Sequence, residues 1–253
     1  MLEQPRPTLY LIPSNLADGD PALVLPATTV AVARSLRHFI AENAKMARTF
    51  LKAIGHPLPL RDIEIAELNE HTPLDRLPAL FAPLRAGRSC GLLSDAGCPA
   101  VADPGAELIL LAHETGVSVR PLVGPSAILL ALMASGLQGQ RFAFHGYLPA
   151  ERAEREQRVN ALESASRDRD QTQVFIETPY RNMPLFDSLV RCCAPDTLLC
   201  VASDLTGAGE RVTTRTVAAW RRSDAPAIQK VPTVFLLYAD RSFQRSAAPE
   251  VPR

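Results

Sequence analysis

Ser89-Cys90-Gly91-Leu92-Leu93, followed by Ser94-Asp95-Ala96-Gly97-Cys98-Pro99-Ala100-Val101-Ala102-Asp103-Pro104-Gly105, is the stretch that decides the fold. The apolar run is short and uncharged, as in a strand covered on both faces of a parallel sheet. The polar, Gly- and Pro-rich stretch after it cannot continue in the sheet, so it reads as a loop at the carboxyl end of a buried strand. Asp103-Pro104 reads as an N-cap followed by proline at the first helical position, and Ala106 to Thr115 as a helix stopped by Gly116. Val117 to Val123 then forms a second strand, which breaks at Gly124-Pro125-Ser126-Ala127 into the apolar helix Ile128 to Ser135. Both loops fall on one edge of one sheet, where backbone amides and helix N-termini converge on ligands. There is no G-x-x-x-x-G-K-[ST] for a nucleoside triphosphate and no G-x-G-x-x-G for a dinucleotide, which disfavours an NAD-dependent oxidoreductase.

Upstream, Leu9 to Ile12 is a strand that opens into Pro13-Ser14-Asn15. Val30 to Leu36 is helical, Phe39 to Ala41 a strand leading into Glu42-Asn43-Ala44-Lys45, and Met46 to Ile54 a helix closed by Gly55. Ile63 to Leu68 alternates like an edge strand, His71 reads as a solvated loop histidine, and Leu74 to Leu84 as one helix. Downstream, Leu137 to Arg141 is the expected linker. Strands are expected at Phe142 to His145, Val174 to Ile176, Leu198 to Ala202, Arg211 to Val217 and Val231 to Tyr238. Met183 to Cys193 reads as a helix. Glu151 to Arg169 reads as a solvated helix laced with i,i+3 and i,i+4 charge pairs, with an RNA-facing surface as the alternative. The expected domains are therefore an N-terminal α/β domain over 1–136 and a C-terminal α/β domain over 137–241, with 242–253 a Pro-, Ala- and Ser-rich disordered tail.

Lys+Arg 27 against Asp+Glu 27 gives no net charge, which argues against gripping nucleic acid by bulk electrostatics and leaves room only for a local basic face. No uncharged run is long enough to span a bilayer and the N-terminus lacks the regions of a signal peptide, so a cytoplasmic, non-membrane protein is expected. The five cysteines, Cys90, Cys98, Cys192, Cys193 and Cys200, show no zinc-type pairing, so no metal site is expected.

Five motifs in one order, Ser94 to Pro99, Asp103-Pro104-Gly105, Gly124 to Ala127, Gly146-Tyr147-Leu148-Pro149 and Glu177-Thr178-Pro179-Tyr180-Arg181, make the chain resemble the tetrapyrrole (corrin/porphyrin) methylase superfamily. Within it the resemblance is to the small-subunit ribosomal RNA (cytidine-2′-O-)methyltransferase family, from about Leu9 to Tyr238. The resemblance implies two α/β domains with a cofactor cleft between them, a homodimer, and S-adenosylmethionine as methyl donor. It implies that Asp95, Ala96, Gly97 and Cys98 receive the amino-acid end of the cofactor, that Ser126 and Ala127 line its pocket, and that Thr178, Pro179 and Ser203 approach its adenosine. Substrate contacts fall to Asn15, Glu42, Glu177 and Arg181, with an intramolecular ion pair as the alternative for the last two; no catalytic base stands out. The family usually has Gly where this chain has Ser14 and Glu-Asp-Thr-Arg where it has Glu42-Asn43-Ala44-Lys45, and its longer members continue beyond the second domain where this chain stops soon after Asp240. The alternatives to a ribosomal RNA or small-subunit particle substrate are a small-molecule, tetrapyrrole-type methylase and a non-catalytic cofactor-binding protein of the same fold.

Overall fold

The computed structural model describes residues 6–239, so the expected tail over 242–253 lies outside the described residues. The chain divides into two units, Met1–Ser126 and Ala127–Arg253.

In the first unit, strands β1 (Thr8–Ile12), β2 (His38–Ala41), β3 (Glu64–Glu67), β4 (Cys90–Leu93) and β5 (Ser118–Pro121) are joined by helices α1 (Ala27–Ser35), α2 (Ala44–Ala53), α3 (Leu77–Leu80), α4 (Ala82–Arg85) and α5 (Ala106–Glu114). The sheet order is β3-β2-β4-β1-β5 and every pairing is parallel. The strand read first, β4, lies inside the sheet with all four residues buried, which is why it carries no charge. A side chain at its Gly91 would sit 2.6 Å from Ile12 Cδ1 and 2.9 Å from Phe39 Cδ1, so a glycine is required mid-strand by close packing. Because the strands run in parallel, the loops after Ile12, Ala41, Leu93 and Pro121 all emerge on one edge.

Two local expectations are corrected. Leu74 to Leu84 is not one helix: a 3-10 turn, Leu74–Arg76, precedes the separate short helices α3 and α4. Pro78 and Pro83 each sit near a helix start, where their missing N–H costs nothing, and neither could donate within a continuous helix. Asp103 does not cap α5. The N-cap is Gly105 at φ 135°, and the Asp103 carboxylate instead accepts a hydrogen bond from the Ser94 hydroxyl.

The second unit comprises α6 (Ala127–Ser135), β6 (Phe142–Tyr147), α7 (Arg152–Arg169), β7 (Thr172–Ile176), α8 (Asn182–Cys192), β8 (Leu198–Ser203), β9 (Arg211–Thr216), α9 (Val217–Trp220) and β10 (Thr233–Tyr238). Its sheet, β6-β7-β10-β8-β9, is mixed: only β6 and β7 pair in parallel. Helix α6 packs against β8, β9 and β10, so the division falls before it, whereas the expected linker lies after it. On one face of the sheet, Phe175, Val201, Phe235 and Leu237 pack with Val159, Leu162, Leu185, Phe186, Leu189 and Trp220 from the helices. The hydrophobic free energy of burying each such side chain is about 1.5–3 kcal/mol.

The expectation of a solvated α7 holds only for its outer side. Arg155 and Glu163 are buried. The Arg155 guanidinium donates to Ser188 Oγ at 3.0 Å and to the Ala150 carbonyl at 2.7 Å, while Glu163 accepts from the Ala194 amide at 2.7 Å and from the Thr197 hydroxyl. A charged residue is tolerated inside because every strong partner it needs is supplied by neighbouring elements. No helix among the described residues is long and apolar enough to cross a membrane.

Candidate cofactor site

The carboxyl edge of the first sheet is closed by three loops that hold one another in place. The amide of Ser14, after β1, donates to the Gly97 carbonyl at 2.9 Å and the Ser14 carbonyl accepts from the Gly97 amide at 3.3 Å, an isolated antiparallel bridge. The buried Ser14 hydroxyl donates to the Ser94 carbonyl at 2.9 Å. Serine at this position therefore fastens the first loop to the loop after β4. Gly97 has φ +76°, a left-handed conformation that favours glycine. The third loop, after β5, is drawn in by Cys98, whose thiol contacts the Pro125 carbonyl at 3.5 Å, and by Gly124, where a side chain would lie 2.4 Å from Pro13 Cβ. Burial pushes the Cys98 thiol above its ordinary pKa, so it acts as a small packing residue and not as a thiolate.

Around these loops stand carboxylates. Burial raises the pKa of Asp95, the Asn43 backbone N–H partly offsets this, and the charge of Glu67 adds to it. Glu42, after β2, is raised by burial and then by Asp103, Asp95 and Glu70. Asp103 is raised by burial, lowered by its bond from Ser94, and raised again by Asp95. None of the three forms an ion pair with a cationic side chain among the described residues. The result is a concentration of negative charge at a loop edge, suited to a ligand carrying net positive charge. Asn43 caps α2 through bonds from the Lys45 and Met46 amides at 2.9 and 3.3 Å, the work an aspartate would do there. Glu67 was not among the expected site residues; it accepts from the Ala44 amide at 3.0 Å, and the parallel register that sets it beside Ala41 is visible only in the folded sheet.

Asn15 is half-buried. Its amide nitrogen donates to the Gly19 carbonyl at 3.0 Å, and its Oδ1 is buried without a hydrogen-bond partner. His71 is exposed and faces Glu70 at 3.5 Å, as a solvated loop histidine. Ser126 is the last residue before α6 and Ala127 its first.

In the second unit, β7 and β8 both run antiparallel to β10, so Ile176 and Ser203 end at the same sheet edge, in register with Val234 and Thr233. Thr178 and Pro179 follow Ile176 there. Arg181 bonds Glu177 through Nη2 at 2.6 Å and Nε at 2.9 Å, and Thr178 Oγ1 through Nε at 3.2 Å. The Glu177 side chain is only 1% exposed. Of the two expectations for this pair, the geometry favours the ion pair that tethers the loop. The structure thus gathers Asn15, Glu42 and Asp95 to Cys98 on one edge in the first unit, and Thr178, Pro179 and Ser203 on one edge in the second.

Residues 19–220 match the family model of the tetrapyrrole (corrin/porphyrin) methylases. The chain is 33% identical over 217 residues to the ribosomal RNA small subunit methyltransferase I of Mesorhizobium japonicum, covering 85% of this chain and 69% of the relative. It is 33% identical over 212 residues to the protein of that name from Xylella fastidiosa, covering 83% and 73%. Among solved structures, the methyltransferase CobJ shares the fold at TM-score 0.59 and 18% identity over 91% of this chain and 92% of that one. The uroporphyrin-III-C-methyltransferase of Thermus thermophilus does so at TM-score 0.54 and 20% identity over 97% and 98%.

S-adenosylmethionine carries a sulfonium and an ammonium against a single carboxylate, so its net charge is positive. The half-buried Asp95, without a cationic partner, and the orphaned Asn15 Oδ1 fit such a ligand, the first as a charge and the second as an acceptor for a donor. On the match over 19–220 and on these relatives, the chain belongs to the tetrapyrrole (corrin/porphyrin) methylases and is a methyltransferase with S-adenosylmethionine as its methyl donor.

Proposed function

We propose that the enzyme methylates the small-subunit ribosomal RNA, at the ribose 2′-oxygen of a cytidine, as a cytoplasmic homodimer. The observation that carries the substrate is the identity to proteins named ribosomal RNA small subunit methyltransferase I, over more than four fifths of this chain. The acidic loop edge supports the donor site: Asp95 takes the ammonium of the donor, the backbone around Ala96, Gly97 and Cys98 lies close to its amino-acid end, and Ser126 and Ala127 line the pocket. Thr178, Pro179 and Ser203 are assigned to the adenosine. S-adenosylmethionine supplies an activated methyl group, so the chain has to align the acceptor oxygen and let its proton leave. Asn15 and Glu42 stand among the donor-site loops and are assigned to the acceptor. The apolar surface of α6 and β6, with Met133 79% and Phe142 38% exposed, supports the dimer.

The test is transfer of labelled methyl from S-adenosylmethionine to small-subunit particles lacking the modification, with mapping of the labelled nucleotide. Label on a cytidine ribose supports the proposal. Binding of the donor with no transfer to particles or to their RNA overturns it, and transfer to a tetrapyrrole instead would assign the small-molecule branch.

A further inference from the structure

A second feature lies entirely within the second unit, on the helix-covered side of its sheet. Strand β9 is the sheet edge, and its register with β8 pairs Arg211 with Ser203, Thr213 with Val201 and Arg215 with Leu199. Alternate residues of a strand share a face, so Arg211, Thr213 and Arg215 stand in a row on the face of Val201 and Leu199. Above this row is a cavity of about 390 Å³, whose wall includes Ser203, Asp204, Arg211, Thr213, Trp220 and Lys230. The Arg215 guanidinium lies over the Trp220 ring, 4.8 Å from its centroid.

Three properties make this more than a gap in packing. First, Arg211, Arg215 and Lys230 have no ion-pair partner among the described residues. By contrast, Arg152 and Arg191 share Glu156, Arg181 holds Glu177, and Arg221 donates to the Val190 and Cys193 carbonyls. Of the acids, Asp204 lies in the same wall and accepts from the Gly209 amide at 2.7 Å, and Glu210 accepts from the Thr206 amide at 2.7 Å, so three cations stand against two carboxylates. In a chain of no net charge, this face holds a local positive excess. Second, Lys230 is held at φ +62°, which a side-chain-bearing residue rarely adopts. Its amide bonds the Pro179 carbonyl at 3.0 Å, and Asn182 grips the same loop through the Ile228 and Val231 carbonyls at 3.0 and 2.6 Å. Third, the Lys230 ammonium lies 5.9 Å from the centroid of the Tyr180 ring, which is 71% exposed. Unpaired cations with an exposed ring beside them are what a single strand of nucleic acid uses: phosphates go to the cations and a base stacks on the ring.

We propose that this cavity, with Arg211 and Lys230 in its wall and Tyr180 beside it, is a nucleotide subsite that holds the backbone and stacks one base of single-stranded RNA next to the methylated residue. The inference rests on the RNA reading above and adds the surface that would carry it.

The test is binding of a short fluorescent single-stranded RNA to the full-length protein across a salt series, for the wild type, Arg211→Gln with Lys230→Gln, Tyr180→Ala and Tyr180→Phe. The glutamine changes remove charge at exposed positions without altering side-chain volume much. The expected result for the double variant is a salt slope shallower by about 1.4, near 0.7 for each lost phosphate contact on a single strand. Tyr180→Ala is expected to lose about fivefold or more in affinity, and Tyr180→Phe to retain the wild-type value. S-adenosylmethionine binding is measured on the same variants, because Ser203 in this wall and Pro179 beside it are also assigned to the adenosine: RNA affinity lost with donor affinity kept supports the subsite, and loss of both together overturns it by assigning the cavity to the donor. Wild-type protein that binds RNA, alongside a double variant with the same slope, overturns the subsite and leaves the RNA reading intact. Wild-type protein that binds no RNA at low salt overturns both.

Discussion

Replacing Asp95 by asparagine should weaken donor binding and, in the same molecule, stabilise the ligand-free fold. The substitution keeps the shape and removes one charge. In the folded protein that carboxylate is half-buried, holds one backbone N–H from Asn43 and faces Glu67, Glu42 and Asp103 with no cationic side chain paired to it among the described residues. A unit-charge pair 4 Å apart is worth about 4 kcal/mol at an effective dielectric of ~20. Partial exposure cuts this to about 2 kcal/mol, within the range for charge-assisted hydrogen bonds and equivalent to roughly 30-fold in Kd. The repulsion relieved by the same change favours the folded state, so the unfolding midpoint should rise at neutral pH. Calorimetric titration with S-adenosylmethionine and S-adenosylhomocysteine reads the first effect and thermal unfolding the second. Both ligands keep the ammonium and only the first has the sulfonium. Equal losses assign Asp95 to the ammonium, and a loss confined to S-adenosylmethionine assigns it to the sulfonium. A folded Asp95→Asn protein that binds both ligands at wild-type affinity refutes the assignment.

The raised carboxyl pKa values of Glu42, Asp95 and Asp103 also set a pH dependence. Their folded pKa lies above the unfolded one, so the folded state binds more protons between the two. Their contribution to stability therefore falls as pH rises from about 4 through the folded values, and donor affinity should climb over the same window; unfolding midpoints and titrations at matched pH check both trends. Gly124→Ala should cost about 1–3 kcal/mol in denaturant unfolding, because the new methyl would lie 2.4 Å from Pro13 Cβ in a closed loop junction. Arg181→Ala should destabilise by about 3 kcal/mol, since it leaves the buried Glu177 charge with only the Thr178 amide at 2.6 Å. Adding Glu177→Gln to that variant should recover part of the loss, and a double variant no more stable than the single one would show that the pair does not hold the loop.

The strands and most helices were legible from short-range rules. Buried β4 carries no charge and ends in a loop it cannot continue through, β10 is six uncharged residues all buried, and β3 alternates because it is an edge. The misreadings have specific causes. Leu74 to Leu84 has helical spacing, but two prolines each start a separate turn; Asp103 sits where a cap belongs, yet the buried Ser94 hydroxyl competes for it. Arg155 and Glu163 looked solvated because charge alone does not show which side of α7 meets Ser188, Ala194 and Thr197.

By itself the sequence determined that there are two α/β units and that the loops after β4 and β5 share one edge, and its five ordered motifs carried the family resemblance. The units and the shared edge follow from hydrophobic runs, glycine and proline positions and the parallel strands, all properties of a residue and its close neighbours, whereas the family rests on the resemblance of the motifs. Tertiary structure alone decided that Asp95 and Asp103 raise the Glu42 pKa and Asp95 that of Asp103, that Arg181 is spent on Glu177, and that Arg211, Arg215 and Lys230 have no ion-pair partner among the described residues. Electrostatic interaction depends on distance and burial through space, and residues far apart in the chain acquire both only when the strands take their register.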